Sequence, residues 1–179
     1  MILSSNEIKN RIELGDIHID QFTLQRLNPN SYNLRLAPVL KVYNEAVLDA
    51  KADNHFEIVN IPDDGIILEA HRLYLGCTHE FTETHGLVPK IDGRSSIGRL
   101  GIFVHVTAGF GDIVFKGRWT LEIMAIHPVR IYPLMEICQI SYHTVCGVID
   151  QVYEGRYQGS KEVETCKLHT DFPFDLGDK

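Results

Sequence analysis

The sequence predicts a mainly β domain of the sandwich or barrel type, opened by one short helix. Three observations lead there. Short apolar or alternating stretches recur along most of the chain. Turn residues such as Pro62-Asp-Asp-Gly65 and His127-Pro128 separate them. The spacing leaves no room for the helices that a parallel α/β sheet needs between its strands. With 179 residues, the chain reads as a single domain over 1–179 with enough length for a real core.

The helix is expected over residues 4–14. Ser4 followed by Glu7 forms a capping-box pattern, and Ile8 and Ile12, with Leu3 or Leu14, give an apolar side. Strands are expected at 32–42, 56–61, 66–69, 73–78, 87–91, 102–106, 119–126, 129–132 and 136–145. Ser95 and Ser96, ahead of Ile97, suit the cap of a short helix running towards Leu100. From about residue 152 the character changes. Tyr153-Glu-Gly-Arg-Tyr-Gln-Gly-Ser-Lys161 is polar and carries two glycines with aromatic, amide and basic groups. The stretch 152–179 reads either as a frayed end or as a flexible lid that orders on a ligand.

Composition narrows the function. A hydrophobic fraction of 44% with 23% charged residues is that of an ordinary soluble domain. No apolar run is long enough for a transmembrane helix, and the first residues lack a basic region followed by an apolar stretch, so a cytoplasmic location is expected, with no membrane partner. The net charge of −7 argues against a nucleic-acid polymer as partner. A small anion needs only local cations, and Arg94, Arg99, Lys116, Arg118 and Arg156 are the candidates. Cys77, Cys138, Cys146 and Cys166 form no C-x-x-C pair and are expected as free thiols. The histidines are scattered, and neither H-E-x-x-H nor the zinc-deaminase pattern H-x-E with P-C-x-x-C occurs, so no zinc site is expected.

The most informative segment is Asp92-Gly-Arg-Ser-Ser-Ile-Gly-Arg-Leu-Gly101, followed by His105-Val-Thr-Ala-Gly-Phe-Gly-Asp112 and Phe115-Lys-Gly-Arg-Trp-Thr-Leu-Glu122. Arginine forks and serine hydroxyls suit phosphate oxygens, and glycines let backbone N–H groups approach an anion. A carboxylate on an apolar strand suits general acid–base work, and Leu121 and Ile123 would make its surroundings partly dry. Together these groups suggest a site that holds a polyphosphate at one end and moves protons at the other. Trp119 and Phe115 suit either base stacking or the core, with the core favoured.

In order along the chain, Met1-Ile-Leu-Ser4, Asn28-Pro-Asn-Ser-Tyr-Asn-Leu-Arg-Leu36, Gly93-Arg-Ser-Ser-Ile-Gly-Arg-Leu-Gly101, His105-Val-Thr-Ala108, Thr120-Leu-Glu122, Ile131-Tyr-Pro133, Cys138-Gln139 and Arg156-Tyr-Gln-Gly159 form a series that resembles the dCTP deaminases, which belong with the trimeric dUTPases. The resemblance spans nearly the whole chain. It implies a distorted jelly-roll β-barrel, a homotrimer with sites at subunit interfaces, and zinc-independent hydrolytic deamination of dCTP to dUTP and ammonia in pyrimidine deoxynucleotide supply. It also implies magnesium bound mainly through the triphosphate, and dTTP as a feedback inhibitor.

The resemblance also assigns residues. Glu122 matches the proton-shuttling glutamate, Arg99 a group that orients it or steadies charge on the adduct, and Ala108 a position whose backbone places base and water. The nucleotide-binding set it implies is Arg94, Ser95, Ser96, Ile97, Gly98, Arg99, Asp112, Thr120, Leu121, Glu122, Gln139, Tyr153, Arg156, Tyr157, Gln158 and Ser160. Three departures stand out. Gly111-Asp-Ile-Val114 replaces the frequent Ile-Asp-Pro-Gly. The link from Glu122 to Cys138 is about two residues short, which implies a tight turn at His127-Pro128. Asn33 stands where many members carry aspartate. Finally, Ala108-Gly-Phe110 resembles members that also cleave the triphosphate, so the alternatives are a bifunctional enzyme yielding dUMP and diphosphate, or a dUTP diphosphatase alone.

Overall fold

In a computed structural model, which describes residues 1–105 and 107–172, thirteen strands and two α-helices wrap one apolar core. Residues 173–179 of the expected lid and Val106 of the expected strand 102–106 lie outside the described residues. The opening helix α1 spans Ser5–Leu14. Ser4 is its N-cap and accepts from the Glu7 N–H. The box does not close, because the Glu7 carboxylate turns to Arg11 at 2.7 Å. Gly15, at φ +83°, ends the helix.

The strands are β1 (Ile17–Ile19), β2 (Tyr32–Arg35), β3 (Val39–Tyr43), β4 (Phe56–Asn60), β5 (Ile66–Leu68), β6 (Leu73–Cys77), β7 (Thr82–Thr84), β8 (Leu87–Gly93), β9 (Ile102–Val104), β10 (Lys116–Gly117), β11 (Thr120–Ala125), β12 (Val129–Ile131) and β13 (Glu136–Thr144). One five-stranded sheet runs β4-β3-β6-β11-β9, two three-stranded sheets run β2-β13-β8 and β1-β7-β10, and β12 pairs with β5. Every ladder is antiparallel. The result is jelly-roll-like, but the sheets enclose the core without closing into one continuous barrel. Leu34, Leu36, Leu40, Leu121, Ile123, Ile131, Ile137 and Ile140 sit at its centre with no exposed surface. Each such side chain contributes roughly 1.5–3 kcal/mol.

Two expectations need correction. The stretch 32–42 is two strands. Between them Leu36 and Ala37 send their N–H groups to Met135 and Cys77, and Pro38 has none to give, so the chain changes sheets there. The strands β1, β7 and β10 had no periodic signal. They are two or three residues long, and β7 buries threonines rather than apolar groups. The turn at His127-Pro128 is tight as expected, with three residues between the end of β11 at Ala125 and the start of β12 at Val129.

Glu80, fully buried, ties three parts of the chain together. Its carboxylate accepts from the Arg35 N–H at 2.8 Å and Arg35 Nε at 2.6 Å, and from Arg26 Nη1 at 3.2 Å. Both guanidinium side chains are largely buried as well. Removing one member of such a group strands the others without a counter-charge. Glu80→Ala is expected to destabilise the fold by about 3–5 kcal/mol. Urea denaturation measures this, and a loss below about 1 kcal/mol would mean that Arg26 and Arg35 find other partners.

Candidate active site

The alternation of β11 builds the site. Leu121, Ile123 and Ala125 point into the core with no exposed surface, so Thr120, Glu122 and Met124 point the other way. Pairing with β6 sets Glu122 opposite Leu75, and pairing with β9 sets Ile123 opposite Val104. The Glu122 side chain therefore enters a cavity of about 670 Å³ walled by Leu73, Leu75, Phe115, Trp119, Tyr153 and Tyr157, with Asp112, Arg118 and Thr120 among its polar lining.

His105 continues β9 and donates its backbone N–H to the Glu122 carbonyl at 3.3 Å. Its side chain is only 6% exposed. Nδ1 lies 3.0 Å from Glu122 Oε2, an ion-pair distance without good hydrogen-bond alignment, and Nε2 lies 2.5 Å from the Ala108 carbonyl. A carbonyl only accepts, so Nε2 carries a proton. Nδ1 can then face a carboxylate favourably only if a second proton lies between them. Burial lowers the His105 pKa, but Glu122 and the Ala108 carbonyl outweigh it and the net direction is upward. His105 was not among the site residues expected from the sequence. A histidine ending a short strand carries no local sign that its ring will meet a carboxylate seventeen residues on.

The loop after His105 is fastened to β8. Ile91 donates to the Gly109 carbonyl at 2.7 Å, and Gly111 donates to the Pro89 carbonyl at 2.9 Å. A side chain at Gly109 would strike the Ile91 carbonyl, and one at Gly111 would strike the Trp119 ring and Pro89. Glycine is needed at both places for close approach. Phe115 N–H then closes a turn onto the Asp112 carbonyl, with Val114 at φ +69°. This is where the resemblance leads one to expect glycine, and a β-branched residue is strained there.

Phe115 and Trp119 do two jobs. They are core residues, 4.5 Å apart between ring centroids, and they also wall the cavity. Trp119 Nε1 is fixed by Thr82 Oγ1 at 2.9 Å. Over this wall lies the C-terminal strip. Ser160 pairs with Gly117, Glu164 donates its N–H to Thr120 Oγ1 at 3.0 Å, and Cys166 donates its N–H to the Tyr43 hydroxyl at 2.9 Å. Val163 is 1% exposed against Ala37, Leu75 and Cys77.

The expected site residues fall into separate groups. Glu122, Ala108, Asp112, Thr120, Tyr153, Tyr157 and Ser160 line the cavity. Arg94, Ser95, Ser96 and Gln139 do not. They line a second, polar cleft of about 200 Å³ with Asn28 and Asn33, and no described residue lines both. The helix α2 spans Ser95–Arg99 with Arg94 as an N-cap that makes no side-chain cap, so the serines lie in its first turn and do not cap it. Ile97 is buried, while Gly98 and Arg99 are exposed outside both clefts. Leu121 faces the core and can serve a ligand only through its backbone. Gln158 gives its amide to Lys116, Val114 and Tyr153 backbone groups. Arg156 is held within the strip by the Lys167 carbonyl, Thr170 and Asp171. The four cysteines are free thiols, Cys77 and Cys138 buried, Cys146 and Cys166 exposed.

A family model described as dCTP deaminase-like matches residues 2–145. Proteins named "dCTP deaminase, dUMP-forming" from Leptospira biflexa and Hathewaya histolytica are 54% and 53% identical over 172 residues, which cover 96% of this chain and 98% and 99% of theirs. Among solved structures, the 2'-deoxycytidine 5'-triphosphate deaminase of Agrobacterium tumefaciens superposes with a TM-score of 0.63 at 20% identity, over 80% of this chain and 48% of that one. This chain thus spans about half of that longer protein, and the likeness is one of fold.

The His105–Glu122 contact has a pH signature. A histidine whose folded pKa lies above its ordinary 6.5 adds stability that is fully present below that value. The contribution fades as pH rises through the folded pKa. The gap in melting temperature between the native chain and His105→Asn is therefore expected to be largest near about pH 6 and to shrink by about pH 8.5. Thermal melts across this range test it. A gap that does not change with pH would remove the shared proton.

Proposed function

The chain belongs to the dCTP deaminase-like family, and from that premise we propose that it deaminates dCTP and carries the product on to dUMP and diphosphate. The relatives' names favour this bifunctional alternative over release of dUTP. The observation that carries the reading is the Glu122 carboxylate, held against His105 at the head of an aromatic-walled cavity.

Deamination adds water at C4 of cytosine, protonates N3 and expels ammonia. Glu122 takes the proton from water and returns it to the base. His105 keeps the carboxylate aimed. The Ala108 carbonyl, already an acceptor for His105, has a second lone pair for the water or the base. In the second hydrolysis a water attacks the α-phosphorus and diphosphate leaves, with positive groups absorbing the departing charge. Magnesium would come with the triphosphate. Of the cavity carboxylates, Glu122 faces His105, Glu164 faces Lys167 at 2.8 Å and Asp49 accepts the Lys51 N–H at 2.9 Å, so Asp112 would be the carboxylate left to hold the ion's waters.

The cavity, at about 670 Å³, has room for a base and sugar but few cations line it, while Arg94, Ser95 and Ser96 lie in the other cleft. A second copy in a closed trimer would bring its α2 to this cavity and complete the site. Exposed Leu100 and Phe103 beside α2 would be covered in the same contact.

Two outcomes follow. The protein incubated with dCTP is expected to give ammonia, diphosphate and dUMP without accumulating dUTP, as separated by chromatography. Glu122→Gln should bind dCTP yet lose turnover by at least about 10²–10⁴-fold. Accumulating dUTP would restore the single-reaction reading, and near-normal turnover of the variant would take Glu122 out of the chemistry. Secondly, Glu122→Gln and Arg99→Ala, each inactive alone, should regain about a quarter of native activity when co-assembled in equal amounts, because sites built from two chains can then be wholly native. No recovery in mixed assemblies would mean that one chain carries the entire site.

A further inference from the structure

We infer that Glu136, steadied by Asn33, is a positioning residue that fixes Arg94 for the nucleotide's phosphates, and that the 33/136 pair works only with one carboxylate and one amide. The inference rests on the reading of Arg94 as a phosphate-binding group. A β-bulge between Glu136 and Cys138 carries the first step, because the shifted register against β2 re-aims the Glu136 side chain. That side chain turns to Arg94. Arg94 Nη1 donates to the Glu136 carbonyl at 2.9 Å, and Nη2 lies 3.0 Å from Glu136 Oε2. One residue thus grips the guanidinium twice and leaves its remaining N–H groups for the cleft that Ser95 and Ser96 share.

Behind this grip stands a chain of amides. Asn33, 6% exposed, donates to the same Glu136 Oε2 at 2.9 Å. Its own Oδ1 accepts from Asn28 at 2.7 Å, and Asn28 also reaches Ser31, whose hydroxyl donates to Gln139 Oε1 at 2.8 Å. Arg26 Nε stands 3.9 Å from Glu136 Oε1 and connects this set to buried Glu80. Each amide therefore has a fixed sense, and Asn33 must present N–H to Glu136. The negative charge missing at position 33 is present on Glu136, 2.9 Å away. An aspartate at 33 would place two carboxylates in contact, and a glutamine at 136 would leave Arg94 without a counter-charge. An arginine that is not gripped must lose its rotamer freedom when the nucleotide binds, so the effect belongs in binding rather than in chemistry.

The test measures steady-state dCTP turnover and melting temperature for Arg94→Ala, Asn33→Asp, Glu136→Gln and the double variant Asn33→Asp with Glu136→Gln. Calorimetry of dCTP binding in a Glu122→Gln background supplies the affinity. Glu136→Gln and Asn33→Asp are each expected to raise KM and weaken binding about tenfold, with kcat changed about twofold or less. The double variant, which restores one carboxylate and one amide in reversed order, should return KM to within about threefold of native. A purely structural role would lower the melting temperature and kcat together and would not be rescued. Single variants with native KM beside an Arg94→Ala with weakened binding would overturn the inference alone. So would a double variant that melts like the native protein but keeps the high KM. An Arg94→Ala that binds dCTP normally would overturn the reading of Arg94 and the inference with it.

Discussion

The candidate active site depends on the two-residue period of β11, clamped between β6 and β9. The core takes Leu121, Ile123 and Ala125 with no exposed surface. A slip of one residue would bury Glu122 and expose two large apolar side chains, so the register is fixed by the hydrophobic term before any ligand is considered. That register also determines where β9 ends. His105 leaves the strand with its backbone still bonded to Glu122, and its ring then has a single place to go. The His105–Glu122 contact is thus a consequence of sheet geometry, and no independent element is needed to assemble it.

A second constraint follows from charge. The chain carries −7 overall, so an anionic ligand could be held only where cations are gathered and held in place. Arg94 is fixed by Glu136, Arg156 by the C-terminal strip, and Arg118 by the Thr78 and His79 carbonyls. Each guanidinium keeps some N–H groups while others are tied to acceptors, which preserves direction at the expense of freedom. Under the proposed reading, the separation of Arg94, Ser95 and Ser96 from the cavity within one chain would give assembly a chemical purpose. The aromatic wall and the Glu122 carboxylate line one cleft, and Arg94, Ser95 and Ser96 line another.

Much of this was legible in the sequence. The Ser4 cap of α1 and the mainly β pattern have local causes that a sequence displays, and the tight turn at His127-Pro128 followed from the short link that the resemblance exposed. Glu122 stood out because an acid between Leu121 and Ile123 has a forced direction once the strand is recognised. What stayed hidden depends on distance along the chain. Nothing near Glu136 shows that Asn33 will meet it across 103 residues, and nothing near His105 shows its partner. The short strands β1, β7 and β10 were invisible because their pairing comes from neighbours and not from periodicity. The resemblance puts Leu121, Ile97 and Gln158 in the expected site, while burial and backbone bonding direct their side chains away from the cavity.

The departure at Gly111-Asp-Ile-Val114 and the behaviour of Gln158 explain one another. Val114 sits at φ +69°, a conformation that a β-branched residue keeps only when its surroundings hold it there. Gln158 supplies the hold. Its Nε2 donates to the Val114 carbonyl at 2.8 Å and to the Tyr153 carbonyl at 3.0 Å, while its Oε1 accepts from Lys116 N–H at 2.9 Å. The amide therefore bridges the strained turn, the start of β10 and the C-terminal strip. Where a glycine would have needed no support, the valine makes the turn depend on the strip being in place. Asp112 begins that turn and Trp119 lies just beyond it, so the shape of the cavity wall and the position of the strip that covers it are coupled through one side chain.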